Sequence, residues 1–138
     1  MGLSAVVFKS AARLKKEYSR EFVISDEETG QATAVGDEDF LSLRESSAAR
    51  TRVGNLSDVA YIFDAVEAVL GEKSFIGERV LYSGSHAGDC IPLNQLQPLR
   101  DELNRLKHID DSEVVRFVRG MEDLIEAAEQ EGNPIVFV

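Results

Sequence analysis

Apolar positions come in two rhythms along the chain. Ala5, Val6, Val7 and Phe8 follow one another without alternation after Leu3, which predicts a strand covered on both faces and set inside a sheet. Ser10 to Tyr18, with Ala11, Ala12 and Leu14 among Arg13, Lys15 and Lys16, reads equally as a short helix or an irregular connection. Glu21–Ser25 and Gln31–Val35 flank a polar Asp26-Glu27-Glu28-Thr29-Gly30 tract, the pattern of a β-hairpin whose Gly supplies a positive φ. Gly36 to Glu38 turns the chain, and Phe40, Leu41 and Leu43 offer a short apolar patch of about one helical turn. Small and charged residues from Arg44 to Arg52 predict a surface loop.

The second rhythm is helical. Val59, Ile62, Phe63, Val66, Val69 and Leu70 recur at steps of three and four, so a helix opening at Asn55 or Ser57 and stopping at Gly71 presents one apolar face to a sheet. Losing Phe63 from that face is expected to be felt across the domain. Glu78–Tyr82 reads as a strand. Leu96, Leu99, Leu103 and Leu106 mark a second helix, and Pro98, which donates no backbone hydrogen bond, must lie in its first turn. A third helix begins at Asp110-Asp111-Ser112-Glu113, read as a capping box with Asp110 as the cap. It carries Val114, Val118, Met121, Ile125 and Ala128 inward and ends at Gly132-Asn133-Pro134. The closing Ile135–Val138 run is a strand too apolar to stand unpaired. These elements predict one α+β domain: a mainly antiparallel sheet of four or five strands, with three helices largely on one face.

Length and charge narrow the classes. A chain of 138 residues suits one domain. With 43% hydrophobic and 29% charged residues it has the balance of a globular protein. No apolar run approaches the roughly 20 residues of a spanning helix, and the opening Met1-Gly2-Leu3-Ser4 has no leader pattern, so no membrane association and a cytoplasmic location are expected. The single cysteine, Cys90, fits a reducing compartment. A net charge of −10 disfavours binding to nucleic acid, whose phosphates call for clustered Lys and Arg. It is compatible with a basic protein partner or simply with solubility. Glu126, Glu129 and Glu131 crowd the last turns of the third helix with no Lys or Arg in them, against the macrodipole. They form either an acidic surface for a basic partner or a screened helix end.

Side chains able to do chemistry concentrate in Tyr82-Ser83-Gly84-Ser85-His86-Ala87-Gly88-Asp89-Cys90. A nucleophilic site would use Ser83, Ser85 or Cys90 with His86 as base and Asp89 as orienter. A metal site would use His86, Asp89 and Cys90, but the only other histidine, His108, lies beyond a separate helix. A phosphate loop lacks a following Lys and a prompt helix start. A shaped strand-to-helix connection explains the glycines and serines without any of these, and leaves His86, read as an exposed imidazole, as the residue best suited to recognition.

The start Met1-Gly2-Leu3, the helix opening Gly54-Asn55-Leu56-Ser57, the Tyr82–Asp89 turn with Ile91-Pro92 after it, and Asn133-Pro134-Ile135-Val136-Phe137 together resemble the Imm70-type immunity proteins of bacterial polymorphic toxin systems. The resemblance spans essentially the whole chain. It implies a small α+β protein, not an enzyme, that binds a cognate toxin domain and neutralises it, with no cofactor and no metal. Ser85, His86 and Asp89 in the turn, with Glu126 and Glu129 on the third helix, are the expected partner-binding residues. The other classes are a small hydrolase or metal-dependent enzyme built on His86, Asp89 and Cys90, and a non-catalytic regulatory subunit. The residues leave the toxin's identity and the oligomeric state open.

Overall fold

The apolar run near the start of the chain becomes an inner strand of the main sheet. The computed structural model describes residues 2–138, and Met1, where the resemblance to immunity proteins begins, lies outside them. β1 (Leu3–Phe8) is followed by α1 (Ala11–Tyr18), β2 (Phe22–Asp26), β3 (Gln31–Ala34), α2 (Leu43–Ser46), β4 (Ser47–Gly54), α3 (Leu56–Leu70) and α4 (Phe75–Arg79). β5 (Cys90–Ile91), a 3-10 turn at Leu93–Gln95, α5 (Leu96–Leu106), α6 (Ser112–Glu131) and β6 (Ile135–Phe137) complete the chain. Four strands form one sheet in the order β4-β1-β6-β5. Every neighbouring pair is antiparallel, with Val6 opposite both Arg50 and Val136, and Ile91 opposite Ile135. The β2–β3 hairpin forms a separate two-stranded sheet.

The α+β class and the four-stranded antiparallel sheet agree with the sequence. The helix number does not, since the described residues form six α-helices where three were expected. α1 settles the open choice over Ser10–Tyr18 as a helix, and α2 and α4 are the further additions; each is opened by a serine: Ser10, Ser42 and Ser74 accept from the backbone N–H of Arg13, Glu45 and Gly77. Such caps satisfy donors that a short helix leaves open.

The Arg44–Arg52 surface loop is in fact α2 followed by the edge strand β4. Ala49, Thr51 and Val53 alternate with the exposed Arg50 and Arg52, which is a strand with one covered and one solvated face. Glu78–Tyr82 is not a strand either. The chain there finishes α4 and then buries Val80 and Leu81 without pairing, because Glu102 on α5 accepts from the N–H groups of Phe75 and Ile76 and fastens a helix start four residues upstream. At α6 the cap is Asp111 rather than Asp110, its carboxylate accepting from Glu113 and Val114.

The long helices behave as their periodicity predicts. Asn55 and Asp58 form a reciprocal capping box at the start of α3, which closes at Gly71, and Pro98 is the third residue of α5. α3, α5 and α6 bury Ile62, Val66, Leu99, Leu103, Phe117, Met121 and Leu124 against Leu3, Ala5, Val7, Ile135 and Phe137 of the sheet. Each large side chain taken from water contributes roughly 1.5–3 kcal/mol. Val6, Phe8 and Val136 point to the opposite face and form a separate small cluster with Cys90 and Val138.

Two glycines show how closely the layers meet. Gly120, in the middle of α6, lies so near β4 that a Cβ would stand 2.4 Å from Thr51 Cγ2. Thr51 Oγ1 donates to the Gly120 carbonyl at 3.3 Å, so the helix rests on the strand through a position where no side chain fits. Gly30 adopts φ +77°, as the hairpin pattern required, and a side chain there would collide with Asn133 Oδ1. Asn133 in turn is buried and donates to the Phe8 carbonyl at 2.8 Å. The hairpin turn is thereby packed against the entry to β6.

Candidate functional site

The Ser83–Cys90 turn connects the end of α4 to β5. Its centre is a buried imidazole rather than an exposed one: His86 is 7% exposed. The ring stacks on Tyr82 with centroids 4.4 Å apart, and Phe137 of β6 packs at 4.4 Å as well. His86 Nε2 lies 2.7 Å from the Val80 carbonyl. A carbonyl only accepts, so Nε2 carries the proton and donates. Nδ1 is buried without a hydrogen-bond partner, with Asp89 Oδ2 3.4 Å away. The Tyr82 hydroxyl also bonds to Asp89 Oδ2, and this bond, together with burial and the carboxylate charge, raises the phenol above its ordinary pKa. Gly88 N–H donates to the Phe137 carbonyl, and Phe137 N–H to the Asp89 carbonyl, so the turn is tied to the terminal strand by its backbone too.

This geometry does not assemble a nucleophile and base. In a triad one ring nitrogen faces the orienting carboxylate and the other faces the nucleophile. Here Nδ1 does face Asp89, but Nε2 is occupied by the Val80 carbonyl. Ser83 Oγ accepts from Ser85 N–H, and Cys90 Sγ turns to the Gly88 carbonyl at 3.7 Å. Burial pushes the Cys90 thiol above its ordinary pKa, and the carboxylates of Glu28, Asp26 and Asp89 push it further, so little thiolate is present at neutral pH. Among the described residues no group of three or more His, Cys, Asp or Glu side chains is placed to hold a metal ion.

His86 therefore acts in the structure as an aromatic spacer that holds the turn onto β6. Its replacement by alanine removes two ring contacts and leaves the buried Val80 carbonyl without its donor, an expected loss of about 2–3 kcal/mol of stability. Chemical unfolding of the variant measures this, and an unchanged midpoint would take the ring out of the packing. Ser85 and Asp89 are exposed on the same turn.

Glu126 and Glu129 are exposed on α6 and line an open groove of about 260 Å3 between α5 and α6. Arg100, Leu103, Glu122 and Ile125 complete its walls, and none of the turn residues takes part. The α6 carboxylates are not without cations, because neighbouring helices supply them. Arg100 on α5 pairs with Glu129, and Lys107 pairs with Glu122 at 2.9 Å. Glu126 accepts only from the Gln130 amide, at 3.4 Å. Glu131, grouped with these two by the sequence, faces elsewhere. Its side chain is 7% exposed and bonds Arg13 and the Ser10 N–H at the start of α1, each at 2.9 Å. Steps of four and three from Glu122 through Glu126 to Glu129 trace the acidic stripe, and that spacing would have found Glu122 in place of Glu131.

No helix among the described residues is long and apolar enough to cross a membrane. Comparisons with protein-family models, with curated proteins and with solved structures find no match for this chain.

Proposed function

We propose that the protein is an immunity protein that binds a cognate toxin domain and neutralises it, as its resemblance to the Imm70-type proteins implies. The observation that carries the reading is the α5–α6 groove of a protein of net charge −10, where Glu122 and Glu129 are paired with Lys107 and Arg100 and Glu126 between them keeps an unpaired charge. An acidic stripe of this kind steers a basic partner toward its docking face and raises the association rate. In the turn, His86 is committed to packing, and Ser85 and Asp89 remain exposed, the latter accepting from the Tyr82 hydroxyl.

The toxin contact is assigned first to Glu126 and Glu129. Leu103 and Ile125 form the floor of the groove beneath them and belong to the core. Ser85 and Asp89 are the second candidates.

The reading requires an adjacent gene for a large secreted protein with a variable C-terminal domain, and a metabolic operon there would count against it; the test uses that C-terminal domain, expressed in a catalytically disabled form. Calorimetric titration is expected to show a saturable complex. The double charge reversal E126K/E129K should weaken it about tenfold or more, chiefly through a slower association rate at low salt. Both side chains are exposed, so the fold should survive. No binding by the neighbouring toxin domain would overturn the function, while binding indifferent to the reversal would overturn the assignment of the groove.

A further inference from the structure

Two exposed arginines, Arg50 and Arg52, alternate along the edge strand β4 of a protein that carries 25 acidic residues against 15 basic ones. Neither takes part in the ion pairs among the described residues, nor does Arg119 on α6. With Arg119 close by, they give this edge more positive charge than negative, Asp123 being the one carboxylate that lines the groove beside it.

β4 ends the sheet order and pairs only with β1. Ser4 and Val138 exchange both backbone hydrogen bonds, so Ser4, Val6 and Phe8 turn their N–H and C=O toward β6. By the alternation of an antiparallel ladder, Ala5 and Val7 then face β4, and their partners Thr51 and Ala49 face β1. Arg50 accordingly turns its own N–H and C=O out from the sheet. Register shifts at Leu3/Ser4 and Val7/Phe8 bound this regular stretch. Arg116 on α6 closes its far end by donating to the carbonyls of Arg52 and Val53 at 2.7 and 2.9 Å. Beside the open part of the edge runs the groove between β4 and α6, about 550 Å3, with Thr51, Val115 and Gly120 among its lining residues, Arg52, Arg116 and Arg119 along it, and Asp123 as its carboxylate.

We propose that this edge and groove receive a short, extended, acidic segment of a protein partner, which adds to the sheet beside β4. The surface is separate from the α5–α6 groove and does not depend on the function assigned there. A residue opposite Arg50 in the added strand exchanges hydrogen bonds with its backbone and shares its face. A Glu or Asp at that position, and at every second position, meets Arg50 and Arg52. The intervening residues fall on the other face, toward Val115 and Gly120, where small or apolar side chains fit. A second copy of this chain is a poor occupant, because antiparallel pairing of two β4 edges about Arg50 sets the two Arg50 side chains against each other. The register shifts confine the added strand to a few residues.

The probe is a fluorescein-labelled peptide, Val-Glu-Val-Glu-Val-Glu-Val, titrated with the full chain and read by fluorescence anisotropy. Saturable binding is expected, weakened about tenfold or more by R50E/R52E with the melting temperature preserved. Methylating the Glu amides, which face β4, should cost about threefold to tenfold, whereas methylating the Val amides, which face away, should cost little. The Lys analogue should not bind. No saturable binding by the Glu peptide, or affinity indifferent to R50E/R52E, overturns the proposal. Equal affinity of the two methylated peptides overturns strand addition and leaves only an electrostatic patch.

Discussion

Replacing Phe117 by alanine is expected to destabilise the domain by about 3–5 kcal/mol. The side chain is completely buried in the middle of α6, and that helix packs on β1, β4, α3 and α5. A cavity there has walls from both the sheet and the neighbouring helices. None of them can collapse freely, because the Gly120–Thr51 approach holds α6 against β4. A domain of this size is stable by only about 5–15 kcal/mol, so the variant sits near its folding threshold. Urea unfolding measures the change: the midpoint should fall with little change in the slope. A shift worth less than about 1 kcal/mol would contradict a fully buried ring at this position. Phe63 makes the useful contrast. The periodicity of α3 marked it as a core residue whose loss would spread through the domain, but it is only half-buried at the margin of the cluster. Its truncation should cost about 1–2 kcal/mol, less than that of Phe117.

The second large effect is expected at Glu102, replaced by alanine. Its two carboxylate oxygens accept from the backbone N–H groups of Phe75 and Ile76, each at 2.8 Å. These are among the orphan donors of the α4 N-terminus. α4 has five residues, too few to sustain a helix unaided. With the carboxylate gone, Ser74 still caps Gly77, but the two other donors lose their partner. The expected cost is about 2–4 kcal/mol, and glutamine, which keeps one acceptor oxygen, should restore about half of it. Amide exchange reads the mechanism directly, since the Phe75 and Ile76 amides should exchange faster in the alanine variant. Exchange unchanged at both would show that water or another side chain replaces the carboxylate. The consequence reaches the turn, because α4 delivers Val80, whose carbonyl holds His86.

The elements read correctly from the residues are those whose evidence lies within a single stretch of chain. β1 announced itself by unbroken apolar residues. The three long helices did so by stripes at three and four, with side-chain caps for α3 and α6 and Pro98 in the first turn of α5, and the hairpin by Gly30, whose positive φ was required by its own turn. Even the one-residue error at the α6 cap is local, since Asp110 and Asp111 are both good caps and only the geometry of the approach distinguishes them.

Apart from that cap and from α2, whose Ser42–Glu45 capping box is local, the failures involve a partner distant in sequence. β4 resembled a loop because its outer face is arginine, and only pairing with β1 makes its small inner residues part of a core. Glu78–Tyr82 resembled a strand because Val80, Leu81 and Tyr82 follow one another, but its first two residues belong to α4, and the carboxylate that starts that helix arrives from Glu102. His86 looked exposed in a polar turn, but Phe137, near the end of the chain, packs over it. Glu131 looked like one more surface carboxylate until α1 came to lie on it.

Class, charge and the long helices follow from patterns of a few residues, because capping and amphipathicity act over one or two turns of backbone. Whether a polar turn is buried, which edge is left open, and which carboxylates share a groove depend on contacts between residues far apart in the chain, and these exist only once β1, β6 and α6 have come together.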